Sequence, residues 1–149
     1  MTMHIYIAAD HKGFELKEEL KSYLKDQGHT IDDYSNDVLD QQDDYPDFAF
    51  PVAKKVAASN GVGILLCHNG VGLNIAANKV AGARAVMTDS VTIAREARND
   101  DHANILCLPA QHIDAAAAQD VIESFISTPY GEAERYQRRI DKITTYEQS

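Results

Sequence analysis

The stretch Gly63-Ile-Leu-Leu-Cys-His-Asn-Gly-Val-Gly-Leu-Asn-Ile-Ala-Ala-Asn-Lys-Val80 decides how this chain folds. An apolar run from Ile64 to Leu66 ends at Cys67, passes a turn punctuated by Gly70 and Gly72, and enters an alanine-rich helical pattern. That order reads as a buried parallel strand, a tight loop and a helix N-terminus. Such a junction turns free backbone N–H groups and the positive end of the helix dipole into the loop. A thiol at Cys67 is expected to ionise more easily there, because a helix N-terminus favours the thiolate. One short segment would then supply both a base and a cradle for negative charge.

Working outward, the same alternation recurs. Met3 to Ala9 reads as a first strand, and Leu16, Leu20, Tyr23 and Leu24 mark one face of a helix that stops near Gly28. Thr30 to Tyr34 is a short second strand, followed by a helix carrying Phe48, Val52 and Val56. Pro51 fits that helix only in its first turn or at a kink. Strand three is Val62 to Leu66, with a helix from about Gly72; strand four is Arg84 to Met87, with Ser90 capping the next helix to about Arg98. Ile105 to Leu108 and a helical face from Ile113 to Phe125 complete the set. After Pro129-Tyr130-Gly131 comes an extra C-terminal helix with Tyr136, Ile140 and Ile143 on one face. Five alternations predict one α/β domain over residues 1–149: a Rossmann-like, doubly wound, five-stranded parallel sheet. Ligands bind such folds beyond the carboxyl ends of the strands, near a topological switch point, which singles out Asp10-His11, Cys67 to Gly72 and the loops after strands four and five. The last helix, with a partly apolar face and no strand after it, is expected to pack on a second subunit.

Composition narrows the function classes. The 149 residues are enough for a real core, and 44% are apolar. A net charge of −9 argues against nucleic acid or an anionic membrane surface as partner. No apolar run approaches a membrane span, and the first residues lack the order of a signal peptide. Two cysteines, Cys67 and Cys107, make no disulfide framework and point to a reducing cytoplasm. Asp32, Asp33, Asp37, Asp40, Asp43, Asp44 and Asp47 read as a solvated loop, without the spacing and closing Glu of a calcium loop. His4, His11, His29, His68, His102 and His112 show no metal-ligand spacing, so neither metal nor cofactor is expected.

Four ordered blocks carry a resemblance: Ala-Asp-His-Lys-Gly-Phe-Glu-Leu-Lys (9–17), Asp-Tyr-Pro-Asp-Phe (44–48), Cys-x-x-Gly-Val-Gly (67–72) and Ile-Ala-Ala-Asn-Lys-Val-x-Gly-x-Arg-Ala (75–85). Nearly end to end, the chain resembles the ribose-5-phosphate isomerase B / galactose-6-phosphate isomerase family. The resemblance implies metal-free interconversion of aldose and ketose phosphates through an enediol, with Cys67 as the base. A second branch of that family uses an acid at the position of Leu73, which cannot serve here. Backbone N–H groups of His68, Asn69, Gly70, Val71, Gly72 and Leu73 would form the anion hole. His11, Arg135 and Arg139 would hold phosphate, Asp10 the sugar hydroxyls, and Tyr45 would line the pocket. Arg135 and Arg139 are i and i+4, one helix face suited to clamping one anion. The site is implied to lie between the subunits of a homodimer, or a dimer of dimers, with the arginines reaching across.

Departures from the family pattern cluster in this set. Asp100-Asp101 stand where the family has His-Asn, the histidine opening the sugar ring. An ionised Asp accepts a hydroxyl proton but is a poor acid near neutrality; His102, two residues on, is the alternative. His68-Asn69 is bulkier than the usual Gly-Thr or Gly-Ser, Gln111 replaces an arginine, and Tyr136 replaces a histidine. The leading substrate pair is ribose 5-phosphate/ribulose 5-phosphate. A six-carbon sugar phosphate, or a weakened member that only binds sugar phosphates, is the alternative. A phospho-receiver needs an Asp at Cys67 and a Lys at Pro109, and a flavin module needs a Ser/Thr-rich loop at 10–13; the chain has neither.

Overall fold

A computed structural model describes residues 2–149. Its elements run β1 (His4–Ala9), α1 (Phe14–Asp26), β2 (Thr30–Asp33), α2 (Pro46–Ala57), β3 (Val62–Cys67), α3 (Val71–Ala77), β4 (Ala85–Met87), α4 (Val91–Asp101), β5 (Ile105–Pro109), α5 (Ala115–Ser127) and α6 (Glu134–Glu147). The five strands form one sheet in the order β2-β1-β3-β5-β4, and every pairing is parallel. The expected α/β architecture, with its extra C-terminal helix, is the one found.

Right-handed crossovers explain which helix covers which face. The β1-to-β2 and β4-to-β5 connections step one way along the sheet, while β2-to-β3 and β3-to-β4 step the other. Accordingly α1 and α4 pack on one face through Leu20, Leu24, Ala94 and Ala97, joined by α5 through Val121, Ile122 and Phe125. The opposite face is covered by α2 and α3, through Phe48, Val52, Val56, Leu73 and Ala77. β3, at the centre, is buried at all six positions, as a strand covered on both faces must be.

Three details differ from the sequence reading. Pro51 lies in the second turn of α2, not the first. It is exposed, as are Asp47 and Phe50, so the carbonyl that loses its i+4 donor lies on the water-facing side of the helix. The acidic segment is not uniformly solvated. Asp33 lies 2.8 Å from the amines of both Lys17 and Lys21, and those hydrogen bonds hold its carboxyl below the usual range although burial pushes it up. Asp43 is likewise withdrawn from water, for a reason that belongs to the site.

Candidate active site

The strand order reverses between β1 and β3, which opens a crevice beyond their carboxyl ends. Asp10 leaves β1 there and Cys67 closes β3, with the Asp10 N–H donating to the Leu66 carbonyl at 3.2 Å. Gly13 brings α1 up against β3: a Cβ at that position would stand 2.5 Å from the Leu66 carbonyl oxygen. Gly70 has a φ of +79°, a left-handed turn that starts α3, and Cβ there would meet Met87 at 2.7 Å.

Cys67 is 4% exposed, and backbone N–H groups of Leu73, Gly70 and Asn69 face its sulfur. Burial pushes the thiol up and outweighs those donors, with the charge of Asp10 acting in the same upward direction. The expectation of an easily ionised thiol is therefore corrected: the turn favours the thiolate, but desolvation is larger. Cys107, fully buried in β5, is pushed up further by burial and behaves as a small core hydrophobe.

Around the thiol the structure gathers most of the residues singled out from sequence. Asp10 is 7% exposed; burial raises its carboxyl above the ordinary range, against the N–H of Lys12 donating at 2.9 Å. Tyr45 lies flat against the cradle, since a Cβ on Gly72 would come within 2.7 Å of its ring. The Asn69 side chain accepts from the Val71 N–H at 3.0 Å, so that donor is already occupied. His68, exposed after Cys67, meets His112 edge to face at 5.6 Å.

His11 is clamped by Asp43, a member of the acidic segment expected to be a solvated loop. Asp43 accepts from the His11 N–H at 2.9 Å and sits 2.7 Å from its Nδ1, with only 9% of its side chain exposed. Asp10, His11 and Asp43 bring ligand atoms within 4.8 Å of one another, a grouping that linear spacing of histidines could not reveal. The short His11–Asp43 contact engages that pair with itself, leaving Nε2 as the free ring nitrogen. Gln111 donates to the Lys12 carbonyl at 2.8 Å, and so holds the β5–α5 loop against the one after β1.

The remaining predicted residues lie elsewhere. α4 runs back along the sheet, so Asp100, Asp101 and His102 end at the amino edge of the strands, where Asn104 accepts from Gly63 at the start of β3. Five residue steps of about 3.3 Å along β3 put that edge roughly 17 Å from Cys67. Asp100 is half-buried and accepts from the Asn99 side chain. His102 is not a surface residue: it is 8% exposed, in a left-handed conformation that caps α4. Its ring stacks on Tyr130 at 4.4 Å, and its Nε2 is 3.0 Å from the Gly131 carbonyl oxygen. On α6, Arg135 stacks over Tyr136 at 4.6 Å, while Arg139 is exposed and makes no ion pair or hydrogen bond among the described residues.

Known proteins share this fold along nearly the whole chain. A family model described as Ribose/Galactose Isomerase matches residues 5–143. A probable ribose-5-phosphate isomerase B of Mycoplasma genitalium is 41% identical over 149 residues, spanning 99% of this chain and 97% of that protein. Ribose-5-phosphate isomerase B of Mycobacterium leprae is 38% identical over 148 residues, spanning 99% of this chain and 91% of that protein. The crystal structure of the Mycoplasma genitalium ribose-5-phosphate isomerase B with bound ribulose-5-phosphate superposes with a TM-score of 0.93 at 40% identity, covering 98% and 97% of the two chains. That of the Thermotoga maritima ribose 5-phosphate isomerase gives 0.90 at 40% identity, covering 96% and 98%. With its parallel sheet, its Cys67 turn and a family match across almost all of its length, the chain belongs to the ribose/galactose isomerase family.

Proposed function

We propose that this protein interconverts ribose 5-phosphate and ribulose 5-phosphate without metal, using Cys67 as the proton carrier. The observation that supports this most is Cys67 itself, at the strand end under three backbone N–H groups and beside Asp10, in a family with a member that binds ribulose-5-phosphate. Leu73, fully buried, leaves no acid to replace it.

In the open-chain aldose, the thiolate of Cys67 removes the proton on C2 while the C1 carbonyl oxygen gains one, giving the enediol. The same proton then returns to C1 as the hydroxyl on C2 gives up its own and becomes the ketone. Negative charge grows on the two oxygens in between, and the backbone donors of Asn69, Gly70, Gly72 and Leu73 stabilise it, the Val71 N–H being taken by the Asn69 side chain. Losing one such donor typically costs about 2.7–4 kcal/mol of barrier. Asp10 holds sugar hydroxyls, Tyr45 walls the pocket, and His11 Nε2 binds phosphate.

One chain holds only part of the machinery, and a second copy supplies the rest. Arg135 and Arg139 clamp the phosphate from the partner, and Asp100 takes the anomeric hydroxyl proton that starts ring opening, with Asp101 beside it. Asp100 is assigned this role over His102, whose ring face and Nε2 are both engaged. An unpartnered surface supports the pairing: Val71, Ile75, Met87 and Val91 are exposed around α3 and the edge strand β4. α6 buries only Ile140 on its own chain and exposes Ile143 and Tyr146.

The test is turnover of C5 and C6 aldose phosphates by the purified protein, beside Cys67→Ala and after chelator treatment. Chelator-resistant turnover preferring ribose 5-phosphate, and at least about 10²-fold slower in the alanine variant, is expected. Preference for a six-carbon sugar would reassign the substrate. Unchanged turnover in Cys67→Ala would overturn the mechanism.

A further inference from the structure

A second cavity lies at the opposite edge of the sheet from Cys67, and the isomerase reading gives it no role. It measures about 450 Å³ and is lined by Arg84, Arg98, Ser59, Asn60, Asn104 and Tyr130, among others, with no carboxylate in its wall. Two guanidinium groups therefore share one pocket in a chain carrying 23 acids against 14 Lys and Arg. Neither forms an ion pair among the described residues.

Arg98 is 7% exposed. Its Nε donates to the Thr128 carbonyl at 3.3 Å, and its Nη1 to the Ala103 carbonyl at 2.8 Å and the Tyr130 hydroxyl at 3.2 Å. The rings of Tyr130 and Phe125 flank it at 4.5 and 5.1 Å. These neutral partners hold the group in place without cancelling its charge. Arg84 donates from Nε to the His102 carbonyl at 2.8 Å, which leaves both its terminal nitrogens without a partner among the described residues. Burial pushes the Arg98 guanidinium down, Tyr130 opposes that, and the charge of Arg84 in the same pocket adds a smaller downward push. A buried cation without a counter-charge costs free energy that an anion between the two would recover.

We propose that this pocket is an anion site, separate from the Cys67 crevice, that takes the phosphate group of a small phosphate monoester. Two planar guanidinium forks offer paired donors matched to phosphate oxygens. The Tyr130 hydroxyl and the exposed Asn60 amide add neutral donors, and 450 Å³ leaves room for an organic group beyond the phosphate. Because Arg84 also holds the carbonyl of His102, the C-cap of α4, occupancy bears on the helix end that carries Asp100 and Asp101.

Residue-resolved NMR of the full chain, titrated with inorganic phosphate, then glycerol 3-phosphate, and with acetate as control, tests this. The side-chain Nε–H signals of Arg84 and Arg98 and the backbone signals of Gly61 and Gly82 should shift saturably with both phosphates and far less with acetate. Arg84→Gln should weaken that response by about tenfold, with the response around His11 and Gly72 unchanged. Should the glutamine variant melt early, Arg84→Lys keeps the charge, loses the fork and should fall between the two. Phosphate shifts confined to the His11 and Gly72 region, or equal shifts with acetate, would overturn the proposal.

Discussion

Two opposed effects meet at the Cys67 sulfur, and both come from the same turn. Gly70 bends the chain so that three N–H groups point at the thiol, and the same bend packs Tyr45 and α3 around it and removes water. In the free protein, the midpoint of the pH dependence of Cys67 alkylation should lie above about 8.5, the value of an ordinary cysteine. In Asp10→Asn the midpoint should fall, because a negative neighbour is removed; a midpoint that rises would contradict this placement. Asp10 also carries a stability signature. Its folded carboxyl is raised above the unfolded value, so its contribution is fully present below the unfolded pKa and lost as pH rises through the folded one. Asp10→Asn should therefore raise Tm at neutral pH and change it little in acid, as thermal melts at the two conditions would show. The position of Cys67 was legible in the apolar run ending at a glycine turn. Its ionisation was not, because burial depends on residues distant in sequence. Asp43 was hidden for a similar reason: nothing in a run of seven aspartates marks the one that folds onto His11.

At the scale of elements, helix starts read well where a side chain closes them. Ser90 accepts from the Ile93 N–H at 3.2 Å, as its place before α4 predicts, while Asp114, a cap that only the structure brings out, accepts from the Ala117 N–H at 2.8 Å to start α5. Asp114→Ala should cost about 1 kcal/mol in urea unfolding, with the substrate KM unaltered. An added methyl must displace the Tyr45 ring, so Gly72→Ala should raise KM several-fold while Tm moves little. Strand order was not legible, since the alternation fixes neither neighbours nor the reversal between β1 and β3. Handedness links them afterwards: each helix lies on the face that a right-handed crossover requires. A residue at the end of α4 must lie at the amino edge of the sheet, so Asp100 could never reach Cys67 within one chain.

At the scale of the whole molecule, that separation is the central feature. Cys67, Asp10, His11 and Tyr45 line one edge, while Asp100 lies at the other and the arginine pair rides on a helix held by one buried residue and a Glu147 contact to the Gly82 N–H. Two copies related by a two-fold axis would bring opposite edges together twice, giving two equal sites. The measurement that tests this most directly is complementation. Cys67→Ala and Arg139→Ala, each expected to be nearly inactive on ribose 5-phosphate, are refolded together in equal amounts. Random pairing makes half the dimers mixed, each with one intact site, so about a quarter of wild-type activity should return. Activity no higher than the sum of the two variants alone would place Cys67 and Arg139 in the same chain's site and contradict the account.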